Sequence, residues 1–531
     1  MAVLRKGNWK APFFGKSSDY TTGRDALGLQ TTSQATYSTL LQGLTNLTNR
    51  IRYYGFYCWL LEVYAKEVGD TSPSVQNRFM RRGEYMMALV MELHQSEALQ
   101  IAGSLFAAEE IKNQVANNAF DVSHGADKEQ DKKTYWENSS GAFGQYYSGA
   151  MQTLGLIIQR EDTPVFACTK HENEDIVTGT KLAKAFQKNL SPQSQRLFIQ
   201  NINDGILRKS ESEELFNNFS LTNIPPNTEE WELYDRMLFS NDQPLYQSVD
   251  NVSYFRRDSI KCALSYIKKI QDPEKWNHFP NDIYRQKGKD FEGIETNSSL
   301  GWYYYQLNEY WHFGVETIFW GLLETLSSKY FQVPLDVFVT DFHETIVEAC
   351  KQNGLIESES QTLETVIENL EIFDALELSN DIKKCVKDKD VSKGVFLGFK
   401  MLFVIYKQNH DRFHDLKTFA LTNGMERSGD CISGLNEFRV GGSEMISNSL
   451  KRFLVKNIIN RHLEVAYRKM GTGTKNTLKF SFEDNYLRHI ETISPVWTTP
   501  RIYAMYSCLK DLRYVNPDGK ISEVGIRLTE T

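Results

Sequence analysis

At 531 residues the chain has room for about three domains, each able to bury a sizeable core. Its 41% hydrophobic and 24% charged content describes a folded, soluble protein and excludes a disordered one. A formal charge of −8 excludes attraction of the molecule as a whole to nucleic acid, so any such contact needs a local basic patch.

The first twenty residues carry positive charge but no continuous apolar run, which does not read as a secretory signal. Seven scattered cysteines without a CxxC pair fit neither a zinc ribbon nor a disulfide framework. The expected location is the cytoplasm, with no membrane partner. Only 13 prolines, with long stretches of 3.6-residue periodicity, predict a mainly α, multi-domain helical protein.

The stretch GLTNLTNRIRYYGFYCWLLEVY, Gly43 to Tyr64, predicts a helix starting near Arg50, with Thr48 or Asn49 as its cap. Tyr53, Tyr57, Leu61 and Tyr64 mark one face, Phe56, Trp59 and Val63 the next, and Ile51 and Cys58 a third. A base-stacking platform would be aromatic on one exposed side with cations beside it. Apolar residues all round predict a buried central helix instead. Arg50 and Arg52 then need acidic partners or a ligand.

Gly144–Phe186 and Thr499–Glu530 share a pattern of helix, short strand, turn and second strand, the latter with its turn at Asn516-Pro517-Asp518-Gly519. That is the closing half of a winged-helix module, a helix-turn-helix variant that also serves in protein binding. Between them, YFRRDSIKCALSYIKKI is amphipathic through Ile260, Leu264 and Ile267. Gly301–Leu326 is aromatic on every side, through Trp302, Tyr305, Trp311, Phe313, Phe319 and Trp320. It also places Glu309, His312 and Glu316 on one face; a di-iron bundle would need a second Glu-x-x-His, and none exists. These buried acids need partners, with Arg50, Arg52, Arg256 and Arg257 as candidates. Leu355–Leu378 reads as one acidic amphipathic helix.

In NHDRFHD, His410 and His414 stand at i, i+4 with Asp411 after the first, as in helical zinc hydrolases, where Glu occupies that place. A third ligand would have to come from a residue such as Glu437. RVGGSEM, Arg439–Met445, would have Ser443 cap the following helix. That helix, roughly Glu444 to Lys469, buries Leu450, Leu454, Ile458, His462 and Val465. Lys451, Arg452, Lys456, Arg461, Arg468 and Lys469 make it basic, with Lys475 and Lys479 beyond and Glu464 the lone acid. These cations suit backbone phosphates, or else serve as a solvated face or a dock for the acidic 355–378 segment. MGTGTKNT follows a helix and precedes a strand, the reverse of a phosphate loop.

Polar, breaker-rich stretches divide the chain into an N-terminal helical domain (1–135), a winged-helix-like module (136–222), an aromatic-rich helical domain (223–425) and a basic helix with a C-terminal winged-helix-like module (426–531). The segments LTNRIRYYGFYCWLL, YYSGAMQTLGLI with VTGTKLAKAF, and NRHLEVAYRK with TPRIYAMYSCLKDL make the chain resemble large uncharacterised bacterial proteins of the kind encoded in phage-defence islands. The resemblance implies a setting only, without catalytic residues. The expectation is a non-enzymatic, cofactor-free subunit binding DNA, RNA or a protein partner. A metal-dependent hydrolase at His410 and His414, or a scaffold in a larger assembly, are the alternatives.

Overall fold

The computed structural model describes residues 4–5, 25–94, 100–114, 117–127, 134–159, 163–239, 253–471 and 477–530. It is mainly helical, as the periodicity predicts. Among the described residues no helix is long and apolar enough to cross a membrane. The chain forms two compact units, each assembled from separate segments: Met1–Thr36, Pro280–Gly288 and Leu300–Thr499 in one, Tyr37–Phe279, Lys289–Ser299 and Pro500–Thr531 in the other.

The second unit is built round the helix Arg52–Glu67, whose residues from Arg52 to Leu61 are all buried. Trp59 meets Phe198 and Phe219 at 5.5 and 5.2 Å, and those two rings stack at 4.4 Å. Burial on every side answers the question its aromatics raise: they are core. The expected cap is not used, because Thr48 turns its hydroxyl to the Thr45 N–H at 2.8 Å. Asp511 takes the role, accepting the Ile51 N–H at 3.2 Å and the Arg50 guanidinium at 2.6 Å. An acid at a helix N-terminus serves both its free amides and its dipole.

The two hairpin patterns have different outcomes. Ile157–Gln159 pairs with Phe166–Cys168 in a three-residue ladder, but the residues after it form the helix Gly179–Lys188, capped by the Thr178 hydroxyl. At the C-terminus the Asn516–Gly519 turn forms, with Gly519 at φ +84°, yet pairing ends at the single bridge Val515–Ile521. Glu523–Glu530 is a helix rather than a strand. Ser522 accepts the Gly525 N–H at 3.1 Å, and this cap starts a helix that period-two alternation conceals.

The first unit has the helix Asn297–Lys329 at its centre, with Trp302, Trp311, Phe313, Phe319 and Trp320 at most 2% exposed. The helix Val391–Asn409 comes close against it where Gly398 meets Gly314, since a Cβ on Gly398 would stand 3.1 Å from the Gly314 carbonyl. An antiparallel sheet in the order Leu4–Arg5, Tyr330–Pro334, Tyr486–His489, Phe480–Glu483 belongs to the same unit. The expected acidic helix over 355–378 is two helices, Leu363–Asn369 and Ala375–Asp388. Asp374 accepts the Leu376 and Glu377 amides and restarts the helix after a break. The strand after MGTGTKNT forms, while residues 472–476 of that motif, and Lys475 with them, lie outside the described residues.

Candidate nucleic-acid interface

The basic helix extends from Ile446 to Gly471, with a π-helical stretch, Leu454–Asn460, between two α-helical ones. Leu450, Leu454, Ile458, His462 and Val465 are buried, as the periodicity predicts. Ser443 is not its cap; the first amide, of Ile446, donates to the Gln361 carbonyl at 2.8 Å.

The six candidate cations separate into two sets. Arg461 donates to the carbonyls of Leu27 (2.6 Å), Gly28 (3.1 Å) and Ser428 (3.4 Å), and Lys469 to that of Asp25 at 2.7 Å. Burial lowers the pKa of both. Between them His462 is a neutral ring, its Nδ1–H on the Ala26 carbonyl at 3.1 Å and its Nε2 accepting the Lys479 N–H at 2.9 Å. Burial pushes its pKa down to about 4. These three side chains hold the 25–28 turn. Arg452 pairs with Glu444. Lys456 reaches Glu437 at 2.7 Å yet keeps 59% of its side chain exposed. Lys451 and Arg468 are exposed and have no ion-pair partner among the described residues. Lys479, nominally part of the basic run, is fully buried against Glu491 at 2.5 Å. Partners come from Glu437, Glu444, Glu491 and the 25–28 turn, so none of these ion pairs uses the acidic 355–378 segment.

This division is measurable. Arg461→Ala removes a charged donor from three carbonyls and should lower stability by about 1.5–3 kcal/mol, whereas Lys451→Ala should stay within about 0.5 kcal/mol of the parent. Urea unfolding midpoints at unchanged slope give the comparison.

His410 and His414 do not share a helix. The Val391–Asn409 helix stops before His410, a 3₁₀ turn covers His410–Arg412, and His414 belongs to the next helix, Phe413–Thr422. The His410 ring stacks on Tyr406 at 5.3 Å. The supposed third ligand, Glu437, faces Lys456. Among the described residues no group of three or more His, Cys, Asp or Glu is arranged to hold a metal ion. His410 and Asp411 instead line the rim of a cavity of about 640 Å³ with Tyr284, Tyr303, Phe373 and Lys407. Its polar groups are largely engaged: the Tyr284 hydroxyl with Gln408 and Asn409 at 3.0 Å, and the Lys407 ammonium with the Glu368 and Leu370 carbonyls.

Glu309, His312 and Glu316 do share a face and are buried together, but none of the expected arginines serves them. Arg52 pairs with Glu230, Arg50 with Asp511, Arg257 with Asp258, and Arg256 donates to the carbonyls of Gln42, Met237 and Leu238. His312 stands 3.0 Å from Glu309 and 3.5 Å from Glu316. Burial opposes its charge, yet the two carboxylates outweigh burial and hold its pKa up to about 10. The oxygens facing His312 also accept from the Gln30 amide and the Thr498 hydroxyl, and the other two accept the N–H groups of Val496 and Thr498. Helix periodicity showed the shared face; nothing in the local sequence pointed to residues 496–498. No protein-family model, curated protein or solved structure matches this chain.

Proposed function

We propose that this protein is a non-enzymatic binding subunit whose contact face is the outer side of the Ile446–Gly471 helix, taking the backbone phosphates of a nucleic acid. One observation carries the reading: Lys451, Lys456 and Arg468 stand exposed on a helix whose other side is core, and the half-exposed Tyr467 precedes Arg468 in the chain. Solvated cations next to an aromatic ring suit phosphates and an unstacked base. Arg452, Arg461 and Lys469, engaged within the fold, are support rather than contact. Seven free cysteines suit a reducing, cytoplasmic setting. The sequence likeness to proteins of phage-defence islands suggests bacterial defence or DNA processing as the context.

The test is binding of single- and double-stranded DNA and RNA by the full chain across a salt series. The triple variant K451E/K456E/R468E should weaken binding about 100-fold at low salt and flatten the log–log salt slope by about 2–3. Its unfolding midpoint should stay near the parent's, because these side chains are exposed. No binding at low salt would overturn the nucleic-acid reading and make the face a protein-docking surface.

A further inference from the structure

Residues 490–499 have no regular secondary structure and lie along the Asn297–Lys329 helix. Residues 490 and 491 are an anchor: the Lys479 carbonyl accepts the Ile490 and Glu491 N–H at 3.0 and 3.1 Å, and the buried Lys479 ammonium pairs with Glu491. Two kinds of contact hold the rest. Trp497 stacks on Phe313 with centroids 4.3 Å apart and planes 8° apart, meets the edge of Tyr310 at 5.8 Å, and has the Lys383 ammonium 5.7 Å over its ring. On either side of it lie hydrogen bonds to the buried acids. The Val496 N–H donates to Glu316 at 3.0 Å, the Thr498 N–H to Glu309 at 2.9 Å, and the Thr498 hydroxyl to Glu309 at 2.6 Å.

These contacts differ in what opening does to them. Trp497 loses apolar burial when it leaves, so it resists release. The ion cluster does the opposite. Taking Glu309, His312 and Glu316 out of water is costly: the two carboxylates together hold the charge on His312, but that single imidazolium answers two carboxylates, so one negative charge stays uncompensated. The segment supplies them with neutral donors alone, each of which water replaces. Letting water in therefore relieves the desolvation of three charges and leaves no group without a partner. Val496, between the two contact types, is already 51% exposed.

We propose that residues 492–499 form a releasable strap, hinged on the Glu491–Lys479 anchor, held down by Trp497 and made easy to lift by the Glu309–His312–Glu316 cluster beneath it. A core latch of the same area built from apolar side chains would open only with the whole unit. The other charged and titratable groups around the cluster are Asp25, which caps the Gln30–Leu40 helix and lies within electrostatic reach of Glu316 and His312, Lys469, which offsets Asp25, and Lys383 above Trp497. Gln30 contributes a neutral donor from that same helix.

Hydrogen exchange of the full chain tests the idea. In the parent at pH 7 the amides of Val496 and Thr498 should exchange at least tenfold faster than those of Trp311–Trp320, after correction for intrinsic rates. The neutral triple E309Q/H312Q/E316Q keeps donors and acceptors but removes the charge, and should slow strap exchange about tenfold; Trp497→Ala should speed it by a similar factor. If the triple does not fold, the parent's pH series decides. The His312 pKa is raised from an ordinary 6.5 to about 10, so its stabilising contribution is complete below 6.5 and is lost as pH rises through 10. Strap protection should then fall more steeply than helix protection between about pH 8 and 10.5. A strap that exchanges only with global unfolding, or protection that tracks the helix across that range, would overturn the proposal.

Discussion

Arg52→Ala should be among the most damaging single substitutions in this chain, lowering the stability of the second unit by about 3–5 kcal/mol. Arg52 and Glu230 are 2% and 0% exposed, and the pair is a fork: Nε to Oε1 at 2.9 Å and Nη2 to Oε2 at 3.3 Å. The remaining guanidinium nitrogen, Nη1, donates to the Ser220 carbonyl at 2.5 Å, and Asn189 and Tyr234 complete the shell of Glu230 at 2.6 and 3.2 Å. The damage comes less from the lost attraction than from the carboxylate left without its cation in the core. It follows that the double variant R52M/E230M should cost at least about 2 kcal/mol less than the sum of its two single variants. Urea unfolding monitored in all four members of the cycle checks both statements; strict additivity would refute the account.

Trp311→Ala should have a comparable effect in the first unit, about 3–5 kcal/mol. Trp311 is 2% exposed, meets Phe453 edge-on at 6.1 Å, and fills the space opposite Gly434, where any added Cβ would collide with its ring. Its indole N–H donates to the Gly429 carbonyl at 3.1 Å, so the truncation leaves a large cavity and an acceptor without its donor. Trp311→Phe keeps much of the packing and loses the hydrogen bond, and should fall between parent and alanine variant. Thermal and urea unfolding give the order; a phenylalanine variant as damaged as the alanine one would mean that the hydrogen bond, not the volume, dominates.

What the sequence made legible was sidedness. A helix apolar all round, as at 52–67 and 297–329, has to be buried, and a helix apolar on one side, as at 446–471, has to lay that side on a core. What it concealed was partnership. Asp511, which caps the Arg52–Glu67 helix and pairs with Arg50, stands 461 positions along the chain from that arginine. Likewise Arg461 and Lys469 look like any phosphate-binding cations until their acceptors in the 25–28 turn are known. Charge says that a partner is needed, but only the fold supplies its address. Local competition accounts for the other differences. Asp374 and Ser522 offer caps, and a cap decides whether an ambiguous run breaks, restarts or turns helical. The strap at 492–499 has no periodicity at all, and so no signal that period-based reading could detect.

The way the chain is shared between the two units has a consequence in polymer entropy. Leu300–Thr499 belongs to one unit, while the residues that precede and follow it, Lys289–Ser299 and Pro500–Thr531, belong to the other. If the first unit melts while the second stays folded, that segment is released as a closed loop with both ends pinned, not as a free chain. Closing a loop of this length removes conformational freedom from the melted state equivalent to about 5 kcal/mol, the size of effect usually associated with a disulfide. Cutting the chain once within the segment, at a position that leaves the fold intact, would abolish this tether. The nicked protein would then melt at a lower temperature with every native contact still in place.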